Sequence, residues 1–175
     1  MRGKRSDLYS GLTADLVREL YCYDPVTGKV TRKIKRGTRW PAGEEVGTVG
    51  ENGYRYFNIG SRLYLAHRII WLYVYGYLPD SDIDHINRNR DDNQLVNLRE
   101  ATRGQNNINS RLQKNNTSGF KGAYYDNRRD CWYAEIWVNN KKQFLGRFDS
   151  AEAAGAAYSA AAILHFGEFA EGLKQ

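Results

Sequence analysis

Residues 132–138 alternate without a break, with Trp132, Ala134, Ile136 and Val138 on one side and Tyr133, Glu135 and Trp137 on the other. A period of two is that of a β-strand. A strand that is apolar on one side only belongs in a sheet with one covered face and one open face. Two more strand-like runs flank it, at 120–125 and 143–148, with turn residues between them at 127–130 and 139–141. The cover for the sheet follows directly. Asp149 and Ser150 cap a helix, Glu152 and Ala153 fall in its first turn, and alanines crowd it as far as Ala162, which permits close packing.

Upstream the pattern changes. Residues 114–119 are polar and small, as a linker would be. Thr13 caps a first helix carrying Leu16, Val17 and Leu20. Strand-like pieces follow at 29–33 and 53–59. A second helix is expected over 64–75, stopped by Gly76. Pro79 and Asp80 turn the chain into a short strand at Ile83, a polar loop spans 87–94, and Leu95 and Leu98 restore an apolar anchor. Thr102 with Gln105 three residues on is a capping box, so a helix opens near Arg103, with Ile108 and Leu112 facing inward. The expected class is α+β. The expected divisions are a β-containing region at 1–62, a central domain at 63–112, a linker at 113–118 and a sheet domain at 119–175.

Charge narrows the partners. The net charge is +6 and the isoelectric point about 9.3, which suits a polyanion and nucleic acid first. The 13 Tyr, 4 Trp and 6 Phe interleave with basic residues, a mixture that suits nucleic-acid surfaces and small cores alike. Arg36 and Arg39 belong to a basic cluster that reads as a phosphate-contacting arm. Cys22 and Cys131 lie far apart and form no CxxC pair, so a structural zinc is excluded and two buried thiols are expected. No apolar run approaches the roughly 20 residues that span a bilayer, and no signal core follows the charged N-terminus. The expected location is the cytoplasm.

One place carries chemistry. In Ile83-Asp84-His85-Ile86-Asn87 a carboxylate adjoins a histidine, and Asp92, Asn93, Asn97, Asn106, Asn107 and Asn109 follow. Phosphodiester hydrolysis needs a group that takes a proton from water and a cation for the charge developing on phosphoryl oxygens. An imidazole suits the first task, and hard oxygens from Asp and Asn suit a divalent ion for the second.

Residues 64–110 resemble the HNH endonucleases of the phage and intron-encoded homing type. The resemblance rests on His67-Arg68-Ile69-Ile70-Trp71, Ile83-Asp84-His85-Ile86-Asn87, Asp92-Asn93, Asn97-Leu98-Arg99 and the asparagines from Asn106 to Asn109. It implies a ββα-metal finger. In that finger Asp84 is a metal ligand, His85 the general base, Asn97 the residue that orients the histidine and holds the loop, and Asn106 the second ligand, with Asn109 as its alternative. An amide oxygen in place of imidazole favours Mg²⁺ or Mn²⁺ over zinc. His67 reads as structural, and Asp92 and Asn93 as loop-fixing. Residues 23–60 also resemble the N-terminal part of these enzymes.

Residues 117–172 resemble the plant apetala and ethylene-response-factor DNA-binding domain, on Ser118-Gly119-Phe120-Lys121-Gly122, Trp132-Tyr133-Ala134-Glu135-Ile136, Phe144-Leu145-Gly146-Arg147-Phe148 and Ala151-Glu152-Ala153-Ala154. That implies a three-stranded antiparallel sheet packed on one helix, its open face laid on double-stranded DNA. Tyr133, Glu135 and Trp137 would face the duplex with Lys121, Tyr124, Lys142 and Phe144. Tyr124, Trp137 and Phe144 stand where the plant pattern tends to show Arg, Arg and Trp, which implies a more shape-based reading. The expected protein is a metal-dependent phage nuclease, monomer or homodimer, nicking double-stranded DNA in the host cytoplasm. Its alternatives are a non-catalytic sequence-specific DNA-binding regulator and an RNA-binding module.

Overall fold

A computed structural model describes residues 9–35 and 41–173. Arg36 and Arg39, expected to contact phosphate, lie outside the described residues. The chain divides into two compact units, Met1–His85 with Asn89–Arg99, and Ile86–Arg88 with Glu100–Gln175. The segment 113–118, read as a linker, lies inside the second unit. There the Asn116 side chain accepts from Gly119 N at 2.7 Å and donates to Phe120 O at 3.0 Å, so the polar run is a built turn.

The first unit begins with α1 (Ala14–Leu20), capped by Thr13 Oγ1, which accepts from Leu16 N at 3.2 Å. β1 (Tyr21–Tyr23) and β2 (Val30–Arg32) form an antiparallel hairpin. β3 (Thr48–Val49), β4 (Arg55–Ile59) and β5 (Arg62–Leu65) form a second antiparallel sheet in chain order. α2 spans Ala66–Tyr75. The helix expected from Tyr64 thus starts two residues later, because Tyr64 and Leu65 pair with Phe57 and Tyr56 in the sheet. Gly76 ends it at φ 82°, a conformation that only glycine adopts cheaply.

A single core joins these elements. Val17, Tyr21, Phe57, Tyr64, Ile69, Ile70, Trp71 and Ile83 are all buried in it. Arg18 lays its guanidinium on the C-terminal end of α2, with Nε donating to Tyr73 O at 2.8 Å, and a cation there complements the helix dipole. Arg68, itself buried, donates to Pro79 O at 2.8 Å and Ser81 O at 3.3 Å, fixing the turn that delivers β6 (Asp82–His85). A 3₁₀ turn at Leu95–Asn97 leads into β7 (Leu98–Ala101), which pairs with β6 in a two-stranded sheet.

The second unit opens with α3 (Arg103–Asn109). Both halves of the expected capping box are present. Gln105 N donates to Thr102 Oγ1, and Thr102 N donates to Gln105 Oε1. Leu112, expected on the inner face of this helix, lies beyond its end and is 41% exposed; Ile108 alone of the pair is buried. β8 (Ala123–Asp126), β9 (Cys131–Val138) and β10 (Lys141–Phe148) form an antiparallel sheet in the order β10-β9-β8. α4 (Ala151–Phe166) covers one face, where Ala134, Ile136, Ala154 and Ala162 are at most 1% exposed. Methyl-sized side chains on both elements permit that approach. The two thiols differ from expectation: Cys22 is exposed, on the outward side of β1 between buried Tyr21 and Tyr23, and Cys131 is half-buried at the first position of β9, ahead of its buried residues Ala134 and Ile136.

Candidate active site

β6 carries Asp84 and His85 at adjacent positions, 5% and 3% exposed. Both need polar partners at such depth, and both have them. Arg99, on β7, donates from Nε to Asp84 Oδ2 at 3.1 Å and holds Nη2 in an ion pair with the same oxygen, also at 3.1 Å. The Arg99 and Asp84 side chains are 12% and 6% exposed, so the carboxylate expected to hold a metal is a buried partner of a guanidinium.

His85 Nε2 lies 3.2 Å from Asn93 Oδ1. The Asn93 amide is oriented by its other end, since Nδ2 donates to Asp91 O at 3.1 Å. Oδ1 can only accept, so the imidazole carries its proton on Nε2 and its lone pair on Nδ1. Burial, with Arg90 adding to it, pulls the His85 pKa below the ordinary histidine value; the Asn93 hydrogen bond, Asp84 and Asp92 oppose the shift. The net direction favours the neutral imidazole.

Two more rings stand beside it. His67, on the first turn of α2, meets His85 edge to face at 5.1 Å, and Tyr54 lies 5.2 Å from His67 and 5.9 Å from His85. His67 is buried with no hydrogen-bond partner at Nδ1 among the described residues, and burial first, then the neighbouring His85, hold its pKa well below the usual value. Exposed Arg90 sets its guanidinium 4.7 Å from the Tyr54 ring centre and donates to Asn52 O at 2.8 Å.

The loop between β6 and β7 is held from several sides. Asn97 Nδ2 donates to Asp92 O at 2.7 Å. Arg55 grips Asp91 through Nε at 2.7 Å and Nη2 at 3.0 Å. Tyr23 Oη donates to Asn93 O at 2.8 Å, and Leu95 N donates to Pro25 O at 3.2 Å. Gly28, at φ 74°, brings the β1–β2 turn so close that a β-carbon there would stand 2.6 Å from Gln94 N. Asn93, expected only to fix the loop, is thus also the partner of His85, and Arg99 and Gly28 are parts of the site for which the sequence suggested no role. Arg99 stood in view within Asn97-Leu98-Arg99, but nothing in the order of residues pairs it with Asp84.

Asn106 lies on α3 and Asn109 at its end, both in the second unit; Asn109 is buried and donates to Ile86 O at 3.4 Å. Among the described residues no three His, Cys, Asp or Glu side chains cluster as a metal cage. The chemistry of the donor set nonetheless fits a hard divalent ion, which takes one or two protein oxygens and keeps water or phosphate for the rest.

On the open face of the three-stranded sheet, Tyr124, Tyr133 and Phe144 form a row, with centroids 5.4 and 6.5 Å apart. Tyr124, Trp137 and Phe144 are 46%, 59% and 56% exposed. Glu135 accepts from Lys142 Nζ at 2.7 Å, and the same ammonium lies 5.8 Å from the Trp137 ring centre. Lys121 is turned away from this role. Its ammonium donates to Asn107 O, Ile108 O and Ser110 O at the end of α3, where the negative end of the helix dipole attracts a cation. Burial and nearby Arg88 bring its pKa down to about 8.

No helix among the described residues is long and apolar enough to cross a membrane. Residues 64–108 match the family described as HNH endonuclease. Over 105 residues the chain is 32% identical to Protein 3.8 of Escherichia phage T7, an alignment that covers 59% of this chain and 86% of that protein. No solved structure matches. The chain belongs to the family of phage Protein 3.8 and carries an HNH endonuclease domain over residues 64–108.

Proposed function

We propose that the chain is a phage endonuclease of the homing type that hydrolyses a phosphodiester in double-stranded DNA with His85 as general base. The observation that carries this reading is the buried contact of His85 Nε2 with Asn93 Oδ1 at 3.2 Å, in an imidazole whose pKa burial lowers. Nδ1 takes a proton from water, the water oxygen bonds to phosphorus, and the bond to the 3′ oxygen breaks. Asn93 holds the ring, Asn97 holds the loop, and Arg99 orients Asp84. Arg90 is exposed and close enough to depress the His85 pKa, so it is assigned to the incoming phosphate. Asp84 and Asn106, or Asn109 in its place, are the proposed ligands of Mg²⁺ or Mn²⁺, which when bound supplies charge for the phosphoryl and leaving oxygens. Tyr124, Tyr133, Glu135, Trp137, Lys142 and Phe144 are assigned to a DNA-contacting face, and Lys121 to α3. The enzyme works in the host cytoplasm, as monomer or homodimer, nicking one strand per engagement.

A second reading, a DNA-binding regulator without catalysis, draws on one observation: Asp84 and His85 are buried, and Asp84 already has a cation. Supercoiled plasmid separates the two. Nicking that needs Mg²⁺ or Mn²⁺, stops in EDTA and disappears in His85→Ala while binding persists supports the nuclease. Retarded but uncut DNA in every metal supports the regulator.

A further inference from the structure

A shallow cavity of about 480 Å³ opens where β8 turns into β9. Tyr133 and Phe144 form one wall, and Arg128, Arg129 and Arg147 line the same space. The acidic groups nearby are engaged. Asp126 accepts from Arg129 Nη1 and from Arg128 N, both at 3.0 Å, and Tyr125 Oη is hydrogen-bonded to Asp130. Among the described residues neither Arg128 nor Arg147 has an acidic partner, and the Arg147 guanidinium lies 5.3 Å from the Phe144 ring centre. The cavity therefore offers aromatic carbon and unneutralised guanidinium at one place.

That pairing matches a nucleotide, which is an aromatic base joined to a phosphate. An anion alone has no use for the rings, and an apolar ligand has none for the arginines. The volume is within the range of small-ligand sites, about 300–1,000 Å³. The rings also select the state of the nucleotide. Within a duplex each base face is covered by its neighbours, so rings reach it only when the base is unpaired or turned out of the stack. Groove reading instead needs side-chain donors and acceptors aimed at base edges, and on this face Glu135 is already bonded to Lys142.

We propose that this cavity binds one unpaired nucleotide of DNA, with the base on Tyr133 and Phe144 and the phosphate on Arg128 and Arg147. The assignment to DNA rests on the nuclease reading above. The sheet then grips the substrate where a base is flipped out or a strand is open, rather than by reading a closed groove.

The test uses the full-length His85→Ala protein, so that binding is read without cleavage, and the plasmid assay judges the nuclease reading on its own. Fluorescence anisotropy compares a labelled thymidine 12-mer with a closed hairpin duplex of equal length. Tighter binding of the single strand is expected. Phe144→Ala should weaken it by roughly 5- to 100-fold, Phe144→Trp should restore it, and Arg147→Gln should reduce the salt slope by about one. Circular dichroism confirms that each variant is folded. Millimolar thymidine monophosphate should displace the oligomer where inorganic phosphate at equal ionic strength does not. Equal affinity for the closed duplex, insensitivity to Phe144→Ala in a folded variant, equal displacement by phosphate, or preference for a uridine 12-mer would each overturn the proposal.

Discussion

Arg99 places two nitrogens on one oxygen of a carboxylate that water hardly reaches. Breaking a buried pair by removing one partner is far costlier than the pair is worth, because a charge is left uncompensated. Arg99→Met should therefore lower stability by about 3–5 kcal/mol, read from the urea midpoint; an unchanged midpoint would place Asp84 in water. The histidines make a second prediction. His67 and His85 both titrate below their unfolded value of about 6.5, so as pH falls the unfolded chain takes up protons first. Stability is full above about pH 6.5 and declines below it, by up to about 1.4 kcal/mol per pH unit for each histidine. Thermal midpoints between pH 7.5 and 5 should show the decline, and His67→Gln should make it shallower. Parallel curves for the two proteins would discard burial of His67 as the cause.

The β1–β2 turn has no chemistry, yet it buttresses the loop that carries the histidine's partner. Tyr23, Pro25 and Gly28 all touch residues 93–95. An alanine at 28 meets both a left-handed φ and backbone at 2.6 Å, a strain of roughly 1–3 kcal/mol before the clash is relieved. The atoms the new β-carbon meets belong to Asn93 and Gln94, so a shift of the loop that relieves the clash carries Asn93 away from His85. Gly28→Ala should thus reduce nicking at least tenfold in a protein that still melts cooperatively. Full activity in a folded variant would show that the loop does not depend on the turn. The α3 helix gives the converse lesson. Its start was legible in Thr102 and Gln105, a local signal. The carbonyls at its end are held by Lys121, 11 residues beyond Ser110, and a lysine in a basic sequence reads more readily as a DNA contact than as a helix cap.

Each unit has its own apolar interior, and Ile108 of α3 packs with Ile136, Tyr158 and Ala162 of the sheet and its covering helix. A chain cut after residue 112, where composition suggests a boundary, would strip that cover from α3. Hydrogen exchange should then show α3 amides losing the protection they have in the full chain. Retained protection in the shorter chain would mean that α3 does not need the sheet.

Period and capping residues, all signals within a few positions of one another, marked the strands of the C-terminal sheet, the helix that covers it and the start of α3. The Asp-His pair was likewise visible as a place for chemistry, since adjacent residue types declare themselves. Which groups meet that pair was decided only in three dimensions. Arg99 is 15 positions from Asp84, Asn93 is 8 from His85, and Gly28 is more than 60 from the loop it supports. Such partners are chosen by strand pairing and by burial, which force a carboxylate and an imidazole out of water to find a guanidinium and an amide. Neither force has a period along the chain from which it could be read.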